Sequence, residues 1–479
     1  MDMDDAAPPL VSAADWAQTP PDVQLAFLTL VDLMRELSTR VQDLEQRLKQ
    51  TSRNTSKPPS SDPPSAPPPA PRPPRGRSRG GQPGHAEQQR PLVPSDQVDT
   101  VVPLRPTTCA HCQTPMAPDL PLSGPIWYCQ VWELPPIRPV VTEYQQQTVC
   151  CSSCQHAVTA DLPADLPPGA FGPRLTALIG LLHGGYHLRM RTTAALLAAV
   201  CGVDVSVGSI AASCVRVSAA IAPVDAAIQT HIRCQAYLWI DETGWREGTQ
   251  RGWLWVAASR QATCFSIDPS RGQAMLSRLI GADYRGIVHS DRASAYHALP
   301  DYQRQLCWAH LLRNLQGLID QQHAESIWAQ RMLDQAHLLF ALWHAYRSGW
   351  FDHIALHQAL LPIRLAFHDL LQTGMTRAWS KLQAFCRDLL THWDALWMFS
   401  RVEGLEPTNN TAERALRPAV VWRKSCYGTQ SAGGSRFVER MLSVQATCVQ
   451  QGRNLFAFLT EALRAARAGQ SAPAIFGTP

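Results

Sequence analysis

The chain has 479 residues, 45% of them hydrophobic, which is enough for two or three domains with cores of their own, and its 38 prolines are unevenly placed, which points to one disordered segment rather than a Pro-rich fold. A net charge of +4 hints at polyanionic partners without establishing them. The acidic start "MDMDDAAPPL" is no secretory signal, and the most apolar run, "LTALIGLLHGGYHL", is broken by His183 and two glycines and is too short to span a bilayer.

A cytoplasmic protein without a membrane partner is expected, and its 14 cysteines are expected to be reduced or metal-bound rather than disulfide-bonded. Residues 16–50 carry the first regular signal. Phe27, Leu30, Met34, Leu37, Val41, Leu44 and Leu48 alternate spacings of three and four, the a/d seam of a coiled coil. The seam predicts a zipper arm that pairs copies of the chain; one amphipathic helix packed on its own core is the alternative. Residues 51–94 form a Pro/Arg-rich disordered linker. Its Arg72, Arg75, Arg77 and Arg79 suit phosphate contacts that do not read sequence, or serve only to solvate a tether.

Residues 95–165 hold "CAHC" and "CSSC", two C-x-x-C knuckles separated by an apparently β-rich stretch. Cys109, Cys112, Cys151 and Cys154 have the spacing of a four-cysteine site for one structural Zn²⁺, with a small sheet filling the gap. Cys129 and Cys150 fall outside the pairing, although Cys150 could replace its neighbour. Over 170–232 the pattern turns helical. "TTAALLAAVCGVDVSVGSIAASCVRV" reads as helix, Gly202 turn and a second helix capped by Ser206, either a helix-turn-helix or plain three-helix packing. The would-be recognition helix offers only Ser209, Ser213 and Arg216 as polar contacts.

From 233 to 320 the period changes to two. "AYLWID", "GWLWVAAS" and "ATCFSIDP" predict three antiparallel strands, "SRGQAMLSRLI" a helical crossover, and "GIVHSD" and "YQRQLCWAHLLRNL" two more strands, the last running into a helix. Two of these strands end in acids, Asp241 and Asp291, a placement that two-metal phosphoryl transfer requires, with ions held ~4 Å apart. Asp241 and Glu242 face opposite ways in extended backbone, so one of them joins the cluster and spacing does not choose which. Cys307 and His310 in "CWAH" invite a ligand reading, but structural placement at a helix start is the one expected.

Residues 321–404 are rich in Leu, Ala, Trp and His and predict an inserted helical domain; its tryptophans are expected in its core, with stacking on DNA ends as the alternative. It separates Asp291 from Glu413 by 122 positions, too far for one strand–helix connection. The last part, 405–470, contains "EPTNNTAERALRP". Asn410 and Glu413 have capping-box spacing, and Pro418 is expected to kink or end the helix within two turns. Asn410, Arg414, Arg417, Arg423, Lys424 and Arg436 offer a phosphate-binding surface beside the Glu413 carboxylate.

Taken together, "SKPPSSD", "GGQPGH", the paired C-x-x-C module, "GPRLTALIGLLHGGYHLRMR", "DETGWR", "HSDRASAY", "CWAHLLRN", "NNTAERALRP" and "VVWRKSCYGTQSAGGSR" resemble the transposases of insertion-sequence family sixty-six, over nearly the whole chain. One departure, alanine after "GH" where glycine is usual, lies in the linker. The resemblance implies a multidomain protein: N-terminal coiled coil and zinc module, helical DNA-binding region, then an α/β ribonuclease-H-like core with a large helical insertion. It implies that Asp241, Asp291 and Glu413 hold two Mg²⁺ (or Mn²⁺) ions, which decides between Asp241 and Glu242. The implied partners are transposon ends and target DNA, further copies of the chain as homodimer or higher oligomer, and accessory proteins of the same element; the implied setting is the bacterial cytoplasm, at the nucleoid. Two rivals are a structure-selective nuclease on the same fold and a non-catalytic DNA-binding repressor, and the three intact acids argue against the second.

Overall fold

The computed structural model describes residues 13–48, 50–51, 54–55, 62, 90–163, 166 and 169–477. Arg72, Arg75, Arg77 and Arg79 lie outside the described residues, as does most of the linker. The chain divides into a larger unit, Met1–Ala66, Thr142–Ala198 and Val203–Pro479, and a smaller one, Pro67–Val141 with Ala199–Gly202.

In the smaller unit the expected sheet is absent from the described residues. No regular strand forms between Ile126 and Val141, and Trp127, Val131 and Val140 are exposed. Pro135, Pro136 and Pro139 remove the N–H groups that a ladder would use, which explains the failure of the β-rich reading. Around the first knuckle the chain closes a tight turn. Cys109 N–H donates to Thr114 and Gln113 N–H donates back to Cys109, with Gln113 at φ 58°.

The larger unit begins with α1 (Ala13–Gln18) and α2 (Pro21–Leu48), separated by a break at Thr19–Pro20 inside the region expected to be one helix. Phe27, Leu30, Met34, Leu37, Val41 and Leu44 are exposed along α2, so this seam covers no core of its own. The side chain of Leu48 lies outside the described residues. Strands β1 (Thr148–Cys150) and β2 (Ala157–Thr159) pair around the second knuckle.

Helices α3 (Pro173–Gly180), α4 (Met190–Cys201), α5 (Val207–Ala220) and α6 (Ala222–Arg233) follow, with a wider π-type turn over Leu181–Gly185. Ser206 caps α5 as its sequence suggests, accepting from Ser209 N–H at 3.1 Å. Helix α5 is a packed element, with Ile210, Ser213 and Val217 buried. Gly180 admits Val217 so closely that a Cβ would sit 2.8 Å from a Val217 methyl. Ser213 is therefore unavailable as a DNA contact, and its hydroxyl holds Arg216 at 3.0 Å.

Strands β3 (Tyr237–Glu247), β4 (Gln250–Ala258) and β5 (Thr263–Asp268) form an antiparallel meander. Helix α7 (Gln273–Ile280) crosses over to β6 (Ile287–Ser290), which runs parallel to β3, and β7 (Arg304–Leu306) runs parallel to β6. The sheet order is β5-β4-β3-β6-β7. Strand β3 does not end at Asp241; β4 is long enough to pair every residue as far as Glu247. Helices α8 (Trp308–Ile319), α9 (Ser326–Arg347), α10 (His353–Met375), α11 (Ser380–Thr391), α12 (Trp393–Leu396) and α13 (Met398–Arg401) share one core. Trp343, Trp379 and Trp397 of the insertion are buried in it with Trp308 of α8, the placement expected of tryptophan in apolar helices, whereas Trp328 and Trp393 are partly buried and Trp350 is exposed.

The chain closes with α14 (Asn410–Cys426), α15 (Ala432–Gln450) and α16 (Leu455–Arg467). Helix α15 solves the edge problem of β5. Its Glu439, Ser443 and Thr447 accept from the N–H groups of Ile267, Phe265 and Thr263. Four helical residues rise ~6 Å and two strand residues ~6.7 Å, so an i, i+4 polar stripe matches every second amide of an edge strand.

Candidate active site

Strand register sets the first two acids. Tyr237 pairs with Ile287 and Trp239 with His289, and continuing that register by two residues sets Asp241 beside Asp291. The β6–β7 register, Ser290 with Leu306, likewise sets Cys307 beside Asp291, and Cys307 N–H donates to Ser290. Asp291 and Cys307 are thus the residues that directly follow paired Ser290 and Leu306, and Asp241 follows the last β3 pair with β6 by two positions.

The third acid arrives from far along the chain. His289 is fully buried, stacked on Trp239, and its Nε2 accepts from Glu406 N–H at 3.3 Å. Burial pushes the His289 ring down to about 4, so it stays neutral and keeps that acceptor. Three residues on, fully buried Asn409 donates from its side-chain amide to Ile240 at 2.7 Å, while its N–H meets Cys307 Sγ at 3.1 Å. Trp308 N–H donates to Pro407. These contacts lay the start of α14 across the ends of β3 and β7, and Glu413 follows one turn later.

Two expectations about α14 need correcting. Asn409, not Asn410, stands at the cap position; Asn410 is the first helical residue and exposed, and Glu413 bonds Arg313 instead of reaching back as a capping-box partner. Pro418 does not end the helix, which runs on to Cys426. Its second half is held in place, with Trp422 stacked on His187 at 4.6 Å and Arg423 bonded to Thr243 and the Gly244 carbonyl of β3.

Alternation along β3 separates the neighbouring acids. Thr243, on the face of Asp241, meets α14. Glu242 faces the other way, where Tyr296 donates to it at 2.7 Å and Arg271 pairs with it at 2.9 Å. Neither Asp241 nor Asp291 makes an ion pair among the described residues. Burial pushes the Asp241 carboxyl well above the usual range; Glu242, Asp291 and Glu413 push it the same way, against a hydrogen bond from Glu242 N–H. Burial followed by the charge of Asp291 raises Glu242 as well, so the acids repel one another across the strand ends.

Of the residues that touch Glu413, sequence reasoning passed over Arg313 and expected His310 to be structural. Arg313 donates to its carboxylate at 3.0 Å and His310 Nε2 lies 3.7 Å away. Both are on the first two turns of α8, and the only signal was their position in "CWAHLLRN" after a strand. Of the cations expected to face phosphate, Arg414, Arg417 and Lys424 are exposed on α14 together with Asn410. Arg423 is turned to the sheet, and Arg436 is paired with Glu439 at 2.8 Å.

The second knuckle repeats the hydrogen bonding of the first. Cys151 N–H donates to His156, Gln155 N–H donates to Cys151, and Gln155 has φ 59°. Hydrogen bonds from neighbouring groups lower the thiol pKa of Cys112 and of Cys151, the direction that favours thiolate ligands. No single helix among the described residues is long and apolar enough to cross a membrane.

Residues 168–436, more than half of the chain, match the family model "Transposase IS66 family", and residues 7–91 match a "Family of unknown function (DUF6444)". "Uncharacterized protein y4qI" of Sinorhizobium fredii is 25% identical over 241 residues, 45% of this chain and 44% of the relative. The match therefore spans less than half the length of that curated relative.

Proposed function

The chain belongs to the transposase IS66 family, and from that premise we propose that it binds the ends of a transposable element, hydrolyses the end phosphodiester and joins the freed 3′-OH to target DNA. The observation that carries the catalytic part is the β3–β6 register, with Asp241 beside Asp291 and the charge of Glu413 bearing on the same carboxyl. The donor set is all hard oxygen, and its mutual repulsion is what a divalent cation would relieve, so Asp241, Asp291 and Glu413 fit Mg²⁺ or Mn²⁺. Two such ions, when bound, supply an activated attacking oxygen and a stabilised leaving oxygen.

The chain's own task is placement. The parallel register leading up to Asp241 and Asp291 and the Asn409 bond before the third acid's helix support this reading, and Arg414, Arg417 and Lys424 offer cations to phosphate on the exposed side of that helix. Three antiparallel strands followed by two parallel ones support the ribonuclease-H-like reading of 233–320 with 405–470, and the core shared by α9 to α13 supports a helical insertion at 321–404. The matching turns at the two knuckles support a zinc-ligating role for Cys109 and Cys112 and for Cys151 and Cys154. The exposed seam of α2 supports pairing with a second copy through residues 16–50.

The test is purified protein with a labelled element end, Mg²⁺ and a target plasmid. Joined product is expected. Nicking without joining would assign the chain to the nuclease class, and end binding without either would leave a repressor.

A further inference from the structure

Beside the acid cluster lies a group that hard-oxygen chemistry does not use. Cys307, His310 and Glu413 bring one ligand atom each within 4.8 Å of one another. Cys307 occupies the N-cap of α8 and His310 its third residue, so both side chains issue from the first turn of one helix. Both are buried, at 3% and 8% exposure. Nε2 of His310 faces the Glu413 carboxylate, and Sγ of Cys307 meets the N–H of Asn409 at 3.1 Å together with the backbone N–H groups of Ala309 and His310.

We propose that Cys307, His310 and Glu413 form a soft-donor cation site, distinct in chemistry from the oxygen cluster, that takes zinc or a similar borderline divalent ion. This rests on the transposase reading only in sharing Glu413 with it. A thiolate, an imidazole and a carboxylate are a zinc donor set, whereas Mg²⁺ avoids sulfur. Zinc bonds of ~2.1 Å at tetrahedral angles place ligand atoms ~3.4 Å apart. His310 Nε2 and Glu413 Oε1, at 3.7 Å, are already close to that spacing. Arg313 holds the same Oε1 at 3.0 Å, so the ion enters in exchange for that guanidinium, and the Cys307 thiol gives up its proton to solvent on binding. The fourth position is left to water.

The experiment counts zinc after equilibrium dialysis of the full-length protein, wild type against Cys307→Ser and His310→Gln. Each variant is expected to hold one equivalent less than wild type, whatever the knuckle cysteines contribute, and Glu413→Gln to bind that equivalent at least tenfold more weakly. Melting of the metal-stripped proteins reports whether a variant folds; should both fail, the partly exposed Glu413→Gln carries the decision. Equal zinc in wild type and in every folded variant overturns the site. Asp241→Asn separates this from the catalytic reading: it should lose joining and keep the zinc, and a variant that still joins would sink the catalytic reading while leaving the zinc count to judge this one.

Discussion

The side-chain amide of Asn409 donates to the carbonyl of Ile240 at 2.7 Å, tying the residue before α14 to the residue before Asp241 across 169 positions of sequence. Both partners are fully buried, so the bond cannot be replaced by bulk water. Asn409→Ala leaves a buried carbonyl unmatched, which costs about 1–3 kcal/mol. Thermal or urea unfolding should show that loss. Joining should fall by more than end binding, because the same bond aims Glu413.

That relationship also marks where the sequence stops being legible. Period-two runs give all five core strands and the antiparallel hairpins of the first three, since alternation and turn spacing are local; that β6 pairs beside β3 is a long-range choice they do not hold. The tryptophans of the insertion announce their own core. Asn409 reads as one of two asparagines before a helix, and nothing nearby says that it serves a strand rather than the cap. Arg313 is silent for the same reason, since its partner Glu413 lies 100 positions away. In the stretch between the knuckles, apolar alternation argued for strands while the prolines argued against them, and the prolines prevailed. The stripe Glu439, Ser443 and Thr447 has the i, i+4 spacing of a solvent-facing helix side. It faces an edge strand instead, which only the third dimension reveals.

That stripe yields a pH prediction. Burial raises the Glu439 carboxyl to about 7, against the hydrogen bond from Ile267 and the charge of Arg436. The unfolded chain releases this proton near pH 4.5 and the folded chain near 7. Stability linked to Glu439 is therefore full below about 4.5, falls as pH rises, and is lost above about 7, at no more than about 1.4 kcal/mol per pH unit. Glu439→Gln retains an acceptor for Ile267 and has no such proton. Urea unfolding of wild type minus variant at pH 5 and pH 7.5 should differ by this slope; parallel curves would remove Glu439 as its source.

The knuckle cysteines predict one zinc removable with them. Cys109→Ser should lose that zinc and loosen the turn it closes, with the main unfolding transition of the sheet unchanged. Zinc retained by a protein lacking both Cys109 and Cys112, with Cys307 also replaced, would refute the four-cysteine assignment.

Glu413 has two readings that one substitution separates. In the first it is a metal ligand, and Glu413→Gln keeps size and hydrogen bonding while removing the charge that would hold Mg²⁺. Cleavage and joining should then both collapse, as in Asp241→Asn and Asp291→Asn, while end binding through Arg414, Arg417 and Lys424 persists. In the second it is only the ion-pair partner of Arg313. The carboxylate is a third exposed, so that pair contributes under ~1 kcal/mol, and Gln can still accept from the guanidinium. The second reading predicts a small fall in melting temperature and full activity, with Arg313→Gln behaving alike. Joining by Glu413→Gln near the wild-type rate would dismiss the three-acid site, whatever the register of β3 and β6.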